Sequence, residues 1–241
     1  MLSNQEFMKS ARDKGVSQGA VEEILRCLRP CVVINRDQVG ERLGRWEGRY
    51  ETTAVIDCAA LPHRHLDLGL GLPDTGSLLM PPEGSPQWHA EPGGHIPSDP
   101  ASEYTGDLHC YAAWTHPEWW AHSEDLHPRE THPALEEAME EYRRCVGPME
   151  LLGESYVPSE SSLQLGGSLL SMAQDPPELD LVDLGDDWNW DFGDEVLRKV
   201  AAWRLFGHFH DGNGIESYWL VHRTDTKVDR YDQIVWMEQA D

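Results

Sequence analysis

Two stretches of the chain read as copies of one pattern, and this apparent repeat constrains the fold more than any other feature. The first runs from Ile56-Asp57-Cys58-Ala59-Ala60-Leu61-Pro62 through Leu66-Asp67-Leu68 to Leu72-Pro73-Asp74-Thr75-Gly76-Ser77-Leu78-Leu79. The second runs from Met172-Ala173-Gln174-Asp175-Pro176-Pro177 through Leu179-Asp180-Leu181 to Trp188-Asn189-Trp190-Asp191-Phe192-Gly193-Asp194. Each reads as an apolar strand, a polar exit, a Pro-containing loop, Leu-Asp-Leu, and a turn carrying Asp and Gly. Strand–loop–strand units bury their apolar faces in a sheet. The expectation is a sheet-built scaffold with internal duplication, and neither copy contains a catalytic motif.

The remaining elements agree with that scaffold. Residues 3–29 predict two short helices. Phe7, Met8 and Ala11 line the first, Gly15 breaks it, and Ser17 caps a second that carries Val21, Ile24, Leu25 and Leu28 at helical spacing. Strand character follows at Cys31–Ile34, Thr52–Ile56 and Ser77–Met80. Gly40, Gly44 and Gly48 read as turns between them. Residues 81–133 hold many Pro and Gly and are expected as a loop-rich insertion, with a strand at His109–Trp114. A helix is predicted over 132–146, with Leu135, Met139, Tyr142 and Val146 on one side. The tail predicts strands at 202–209, 218–223 and 230–236. Strands outnumber helices and no βαβ alternation appears. The fold class is therefore α+β: one domain over 1–241, with a mainly antiparallel sheet folded upon itself and one helix near 133–146.

Four places in the chain resemble the YwqG-like family of bacterial proteins, whose function is largely unknown. They are Arg29-Pro30-Cys31, then Ile56–Pro62 leading to Leu72–Leu79, then Gln164-Leu165-Gly166-Gly167 with Gln174-Asp175, and finally Trp219–Arg223 with Arg230-Tyr231-Asp232. The resemblance implies a single α+β domain with a duplicated, folded-over sheet. Some members look like neighbours of secreted toxins, which implies an immunity or antitoxin role. No catalytic residues come with it. The His-rich stretch 89–132 departs from the pattern.

Charge narrows the partners. Asp and Glu number 43 against 19 Lys and Arg, a formal net charge of −24. Such a field repels nucleic acid and anionic membrane surfaces and speeds encounter with basic proteins. No apolar run is long enough to span a bilayer. The N-terminus, Met1–Glu6, has neither a basic nor an apolar signal region, and no secretory leader is expected. Five scattered cysteines, Cys27, Cys31, Cys58, Cys110 and Cys145, are expected as reduced thiols of the cytoplasm.

Several groups of residues invite chemistry. His109, His116, His122 and His127 fall in one stretch among carboxylates, the composition of a transition-metal site, although no pair has helical HExxH spacing. The acidic run Asp180–Glu195 holds Asp186 and Asp187 beside Trp188 and Trp190, but lacks the spacing of a calcium loop. Gly69-Leu70-Gly71 lacks the Lys-Ser/Thr of a phosphate loop, and Gly166-Gly167-Ser168 lacks the flanks of a nucleophile elbow. His109 and Cys110 are neighbours on a strand, so they point to opposite faces and form no activated thiol.

No cofactor is expected, and the pattern leans away from an enzyme. The reading that follows is a non-catalytic acidic module that neutralises a basic protein, as an immunity protein does. Trp88, Trp119 and Trp120 are the candidate anchors, with Asp186, Asp187, Trp188 and Trp190 as a second binding cluster. The alternative is a metal-dependent enzyme or metal-binding protein using the His-rich stretch. A small-molecule sensor with a pocket between sheet layers is a third. Nothing in the sequence sets the oligomeric state.

Overall fold

The computed structural model describes residues 4–27, 29–36, 40–47, 53–61, 68–81, 83–90, 105–115, 133–146, 162–168, 181, 199, 202–210, 215–223 and 231–240. Two helices, α1 (Asn4–Asp13) and α2 (Gln18–Cys27), precede the sheet. Ser17 caps α2, its hydroxyl accepting the Ala20 N–H at 3.3 Å. The first strands are β1 (Arg29–Asn35), β2 (Glu41–Glu47), β3 (Thr53–Asp57), β4 (Ser77–Met80), β5 (Gln87–His89) and β6 (Thr105–Thr115). Helix α3 (Pro133–Val146) follows, then β7 (Ser162–Gly166), β8 (Trp203–His210), β9 (Ile215–His222) and β10 (Val235–Ala240). Leu135, Met139, Tyr142 and Val146 pack with Ala11, Val21 and Ile24, so the three helices share an apolar cluster of their own.

The strands form one sheet in the order β10-β9-β8-β7-β1-β6-β2-β3-β4-β5. Every ladder among the described residues is antiparallel. The expected α+β class and antiparallel sheet are therefore observed. Two meanders, β2–β5 and β7–β10, flank a central β1–β6 pair. The stretch 81–133, expected as a loop-rich insertion, supplies the edge strand β5 and the central strand β6. The closing element also differs from expectation. Tyr231–Gln233 is a 3-10 turn, and β10 begins only at Val235. The chain needs that turn, whose Ile234 N–H reaches the Tyr231 carbonyl at 3.2 Å, to reverse into the edge.

Side chains alternate across each strand, and one parity points inward. Val32, Ile34, Ile56, Leu78, Met80, Leu108, Leu165, Phe206, Trp219 and Val221 form one buried cluster drawn from both halves of the sheet. Strands far apart in the order therefore meet across the interior. A Cβ on Gly207 of β8 would sit 3.1 Å from Met80 Cε of β4. Side chain–backbone bonds stitch the curl. Trp219 Nε1 donates to the Gly84 carbonyl and Ser85 Oγ to the Ile234 carbonyl, each at 2.8 Å. Arg204 Nη1 donates to the Gly69 carbonyl, while Leu61 and Leu70 of the β3–β4 connection join the inner cluster. The interior is thus filled by side chains, leaving a hollow of about 20 Å³ between Ile34, Met80, Leu163 and Trp219. That is room for about one water.

Two glycine sites show why the motif glycines are structural. Gly44, expected as a turn, lies inside β2. A Cβ there would sit 2.1 Å from the Val55 carbonyl oxygen, so only glycine lets β2 and β3 approach. Gly167 adopts φ +83°, and its Cβ would strike Thr115 Oγ1 at 2.5 Å. That hydroxyl accepts the Ser168 N–H at 2.6 Å, and Gln164 Nε2 donates to the Gly166 and Ser168 carbonyls. The Gly-Gly-Ser sequence is a strand exit rather than a nucleophile elbow.

Candidate functional site

The outward parity of the same strands is mixed, with Leu205, Tyr218 and Leu220 forming a second buried cluster beside polar side chains, and its register can be followed from strand to strand. Gln164 of β7 lies opposite His208 of β8, which lies opposite Tyr218 of β9, which lies opposite Met237 of β10. Glu216, two residues before Tyr218, shares this face. The Tyr218 hydroxyl donates to Glu216 Oε2, His208 Nε2 lies 3.6 Å from Glu216 Oε1, and the His208 and Tyr218 rings stack at 4.8 Å and 9°. A Glu–Tyr–His group would suit proton transfer, but access decides otherwise. Tyr218 is 0% exposed, Glu216 1% and His208 6%. No substrate reaches such a group. Its hydrogen bond lies within β9, and the stacking of His208 on Tyr218 ties β8 to β9.

A second outward group is open. Arg42 pairs with His109 and Arg45 with Asp107, because the β2–β6 register skips Leu43. On a regular strand, residues three apart face opposite sides. The bulge brings Arg42 and Arg45 to the same side, while Leu43 turns into the inner core at 1% exposure. Asp107 Oδ1 accepts from Arg42 Nε at 2.8 Å. Across β3 and β4, Val55 faces Arg45 and Ser77 faces Asp57. Asp57 Oδ1 accepts the Ala59 N–H at 2.9 Å. Arg42, Arg45, Val55, Asp57, Ala60 and Ser77 line a groove of about 180 Å³.

The residues singled out from sequence are unevenly placed. Trp88 lies on edge strand β5, 37% exposed, with its indole N–H on the Thr75 carbonyl at 3.1 Å. It is a half-exposed aromatic pinned at one end. His109 is half-buried in β6 between Asn35 and Arg42, on the face opposite Cys110. His116, His122, His127, Trp119, Trp120, Asp186, Asp187, Trp188 and Trp190 lie outside the described residues. Among the described residues, no three His, Cys, Asp or Glu side chains converge on a metal position. Sequence reasoning missed both outward groups. The one available signal for the first was a Glu at position 216 leading an otherwise apolar strand.

Three of the thiols are inert by environment. Cys31, Cys58 and Cys110 are free and buried. Burial raises the Cys58 thiol to about 12, helped by the charge of Asp57, and raises the Cys110 thiol to about 11, helped by Glu41. Burial pushes Cys31 higher still. None is a nucleophile near neutrality. No helix among the described residues is long and apolar enough to cross a membrane. No protein-family model matches the chain, and no curated protein matches it as a relative.

Proposed function

We propose that this chain is a non-catalytic protein-binding module whose acidic segments capture a basic partner, in the manner of an immunity protein that neutralises a toxin domain. The distribution of charge carries the reading. The described residues hold 13 of the 19 basic side chains but only 17 of the 43 acidic ones. The described residues are therefore close to balanced, and the surplus lies in the rest of the sequence. Asp175–Glu195, between β7 and β8, contains no Lys or Arg at all. A surplus of negative charge steers the approach of a cationic protein. The filled sheet interior and the inert thiols give no support to a catalytic cleft among the described residues. The buried free thiols support a reducing, cytoplasmic setting.

The strand order supports a duplicated origin, as the YwqG-like resemblance implies. Each half contains one leading strand and a four-strand meander, and each leading strand docks on the other half's meander. In this scheme β3–β4 corresponds to β8–β9 rather than to residues 172–194, a stretch that lies outside the described residues except for Leu181.

The test uses the purified chain and a variant carrying Asn at Asp180, Asp183, Asp186 and Asp187. Affinity capture from the source organism, repeated over a salt series, should retain a specific basic protein. Its retention should fall steeply with salt and in the Asn variant. A partner held equally by both proteins, or held regardless of salt, would sink the proposal.

A further inference from the structure

We infer that the seam where the curled sheet closes on itself is a latch, which opens as one unit and gives access to the inner face beside Trp219. The two edges of the sheet meet there without a ladder. Among the described residues, β5 pairs only with β4 and β10 only with β9, yet β5 lies against the Tyr231–Gln233 turn that leads into β10. Side chains make the join in place of a ladder. Ser85 Oγ donates to the Ile234 carbonyl and Trp219 Nε1 to the Gly84 carbonyl, each at 2.8 Å. The central β1–β6 pair, by contrast, holds seven consecutive paired positions. A join made by side chains onto carbonyls gives way before a ladder of that length, so the seam opens while the centre of the sheet stays paired.

The atoms around the joint bias it toward opening. Tyr231 Oη and Trp236 Nε1 are buried beside the inner cluster, and neither finds a hydrogen-bond partner in the closed seam. His89 Nε2, on β5, shares that condition. A buried polar atom without a partner destabilises the closed form, and water restores its bonds once the edges part. Apolar packing acts in the other direction, since Tyr231 meets Phe206 edge-on and Trp219 is 1% exposed. The closed form is therefore held by apolar contact and the two carbonyl bonds against these unmet polar atoms. Behind the joint lie Met80, Phe206 and Trp219, so the surface that opening uncovers is apolar. Trp88, on β5 and opposite Leu78, already stands half-exposed on that side.

The experiment follows native-state amide hydrogen exchange of the full chain over a series of low urea concentrations. The protected amides of β5 and β10 are expected to share one opening constant, larger than that of β1 and with a weaker dependence on urea. Ser85→Ala should raise that constant about fivefold on both strands, the scale of one neutral hydrogen bond. Tyr231→Phe keeps the ring against Phe206 and removes an unmet hydroxyl, so it should lower the constant on both strands. The two variants thus move the seam in opposite directions, which general damage to the fold would not do. Edges that fray separately would give β5 and β10 different constants, or confine the effect of Ser85→Ala to one of them. Either result overturns the inference, as does exchange of both strands only with the opening constant of β1.

Discussion

The two faces of one sheet solve opposite problems with the same backbone. On the inner face, Ile56, Leu78, Leu165, Phe206 and Trp219 are each at most 1% exposed and pack in one apolar cluster. On the outer face, Asn35, Gln164, His208 and Glu216 are at most 7% exposed, yet they are polar or ionisable. Inner stability scales with area and volume removed from water. Outer stability depends on whether each buried polar atom keeps its partner. The difference teaches that burial alone does not rank these residues. Two side chains equally hidden fail for different reasons when altered.

The largest expected effect tests the inner face. Phe206 is 1% exposed, sits at the register shift of β8, and meets Tyr231 edge-on at 5.8 Å. Phe206→Ala should cost about 3–5 kcal/mol, the range for removing a buried aromatic from a core that relaxes only partly. Urea unfolding followed by Trp fluorescence measures it. A cost below about 2 kcal/mol would mean that the interior collapses onto the gap, and that close packing does not define this face.

The outer face predicts a loss where volume predicts none. Tyr218→Phe keeps the ring and its stacking on His208, and deletes only the hydroxyl that donates to Glu216. The cost should be about 1.5–3 kcal/mol, because the hydrogen bond is to a buried carboxyl group. Combining it with Glu216→Gln should cost less than the two single changes added together, since the pair acts as a unit. A neutral Tyr218→Phe, or strict additivity, would place this network among the apolar contacts and erase the contrast between faces.

The inner face was largely legible in the sequence, and the outer face was not. Cys31–Ile34 reads as a continuous apolar run because β1 is buried on both sides, Val32 and Ile34 inward and Cys31 and Val33 outward. The helices were equally readable, since Leu135, Met139, Tyr142 and Val146 repeat at helical spacing. Strand β6 is legible only at His109–Trp114, because Gly106 and Asp107 interrupt the pattern before it. Its central position follows from pairing with β1 and β2, which no local pattern records. Gly44 looked like a turn for the same reason, as the bulge exists only relative to β6. Glu216 looked like a solvated strand end, and its burial comes from neighbours on β8 and β10. The expected metal and acidic clusters fall mainly on residues the structure does not describe, so only His109 and Trp88 were placed.

The smallest expected effect lies at the helical cluster and sharpens the contrast, because its polar contact is open to solvent. The Ser17 N–H donates to Glu141 Oε1 at 2.6 Å and its hydroxyl to Oε2 at 3.0 Å, tying the start of α2 to α3. The backbone bond from Ser17, then its side-chain bond, hold the Glu141 carboxyl below its ordinary value of 4.5, with Arg144 adding to the effect. A carboxyl depressed in the folded state contributes stability above its unfolded value and loses it as pH falls through the folded one. The gap in melting temperature between wild type and Glu141→Gln should therefore be present at neutral pH and close as the pH drops below about 4.5. Thermal melts by circular dichroism across that window check it. The contact's exposure to solvent keeps the gap small, well under those for Phe206 and Tyr218. A gap that stays constant into acid would mean that the contact acts through packing of the side chain, as on the inner face, and not through its charge.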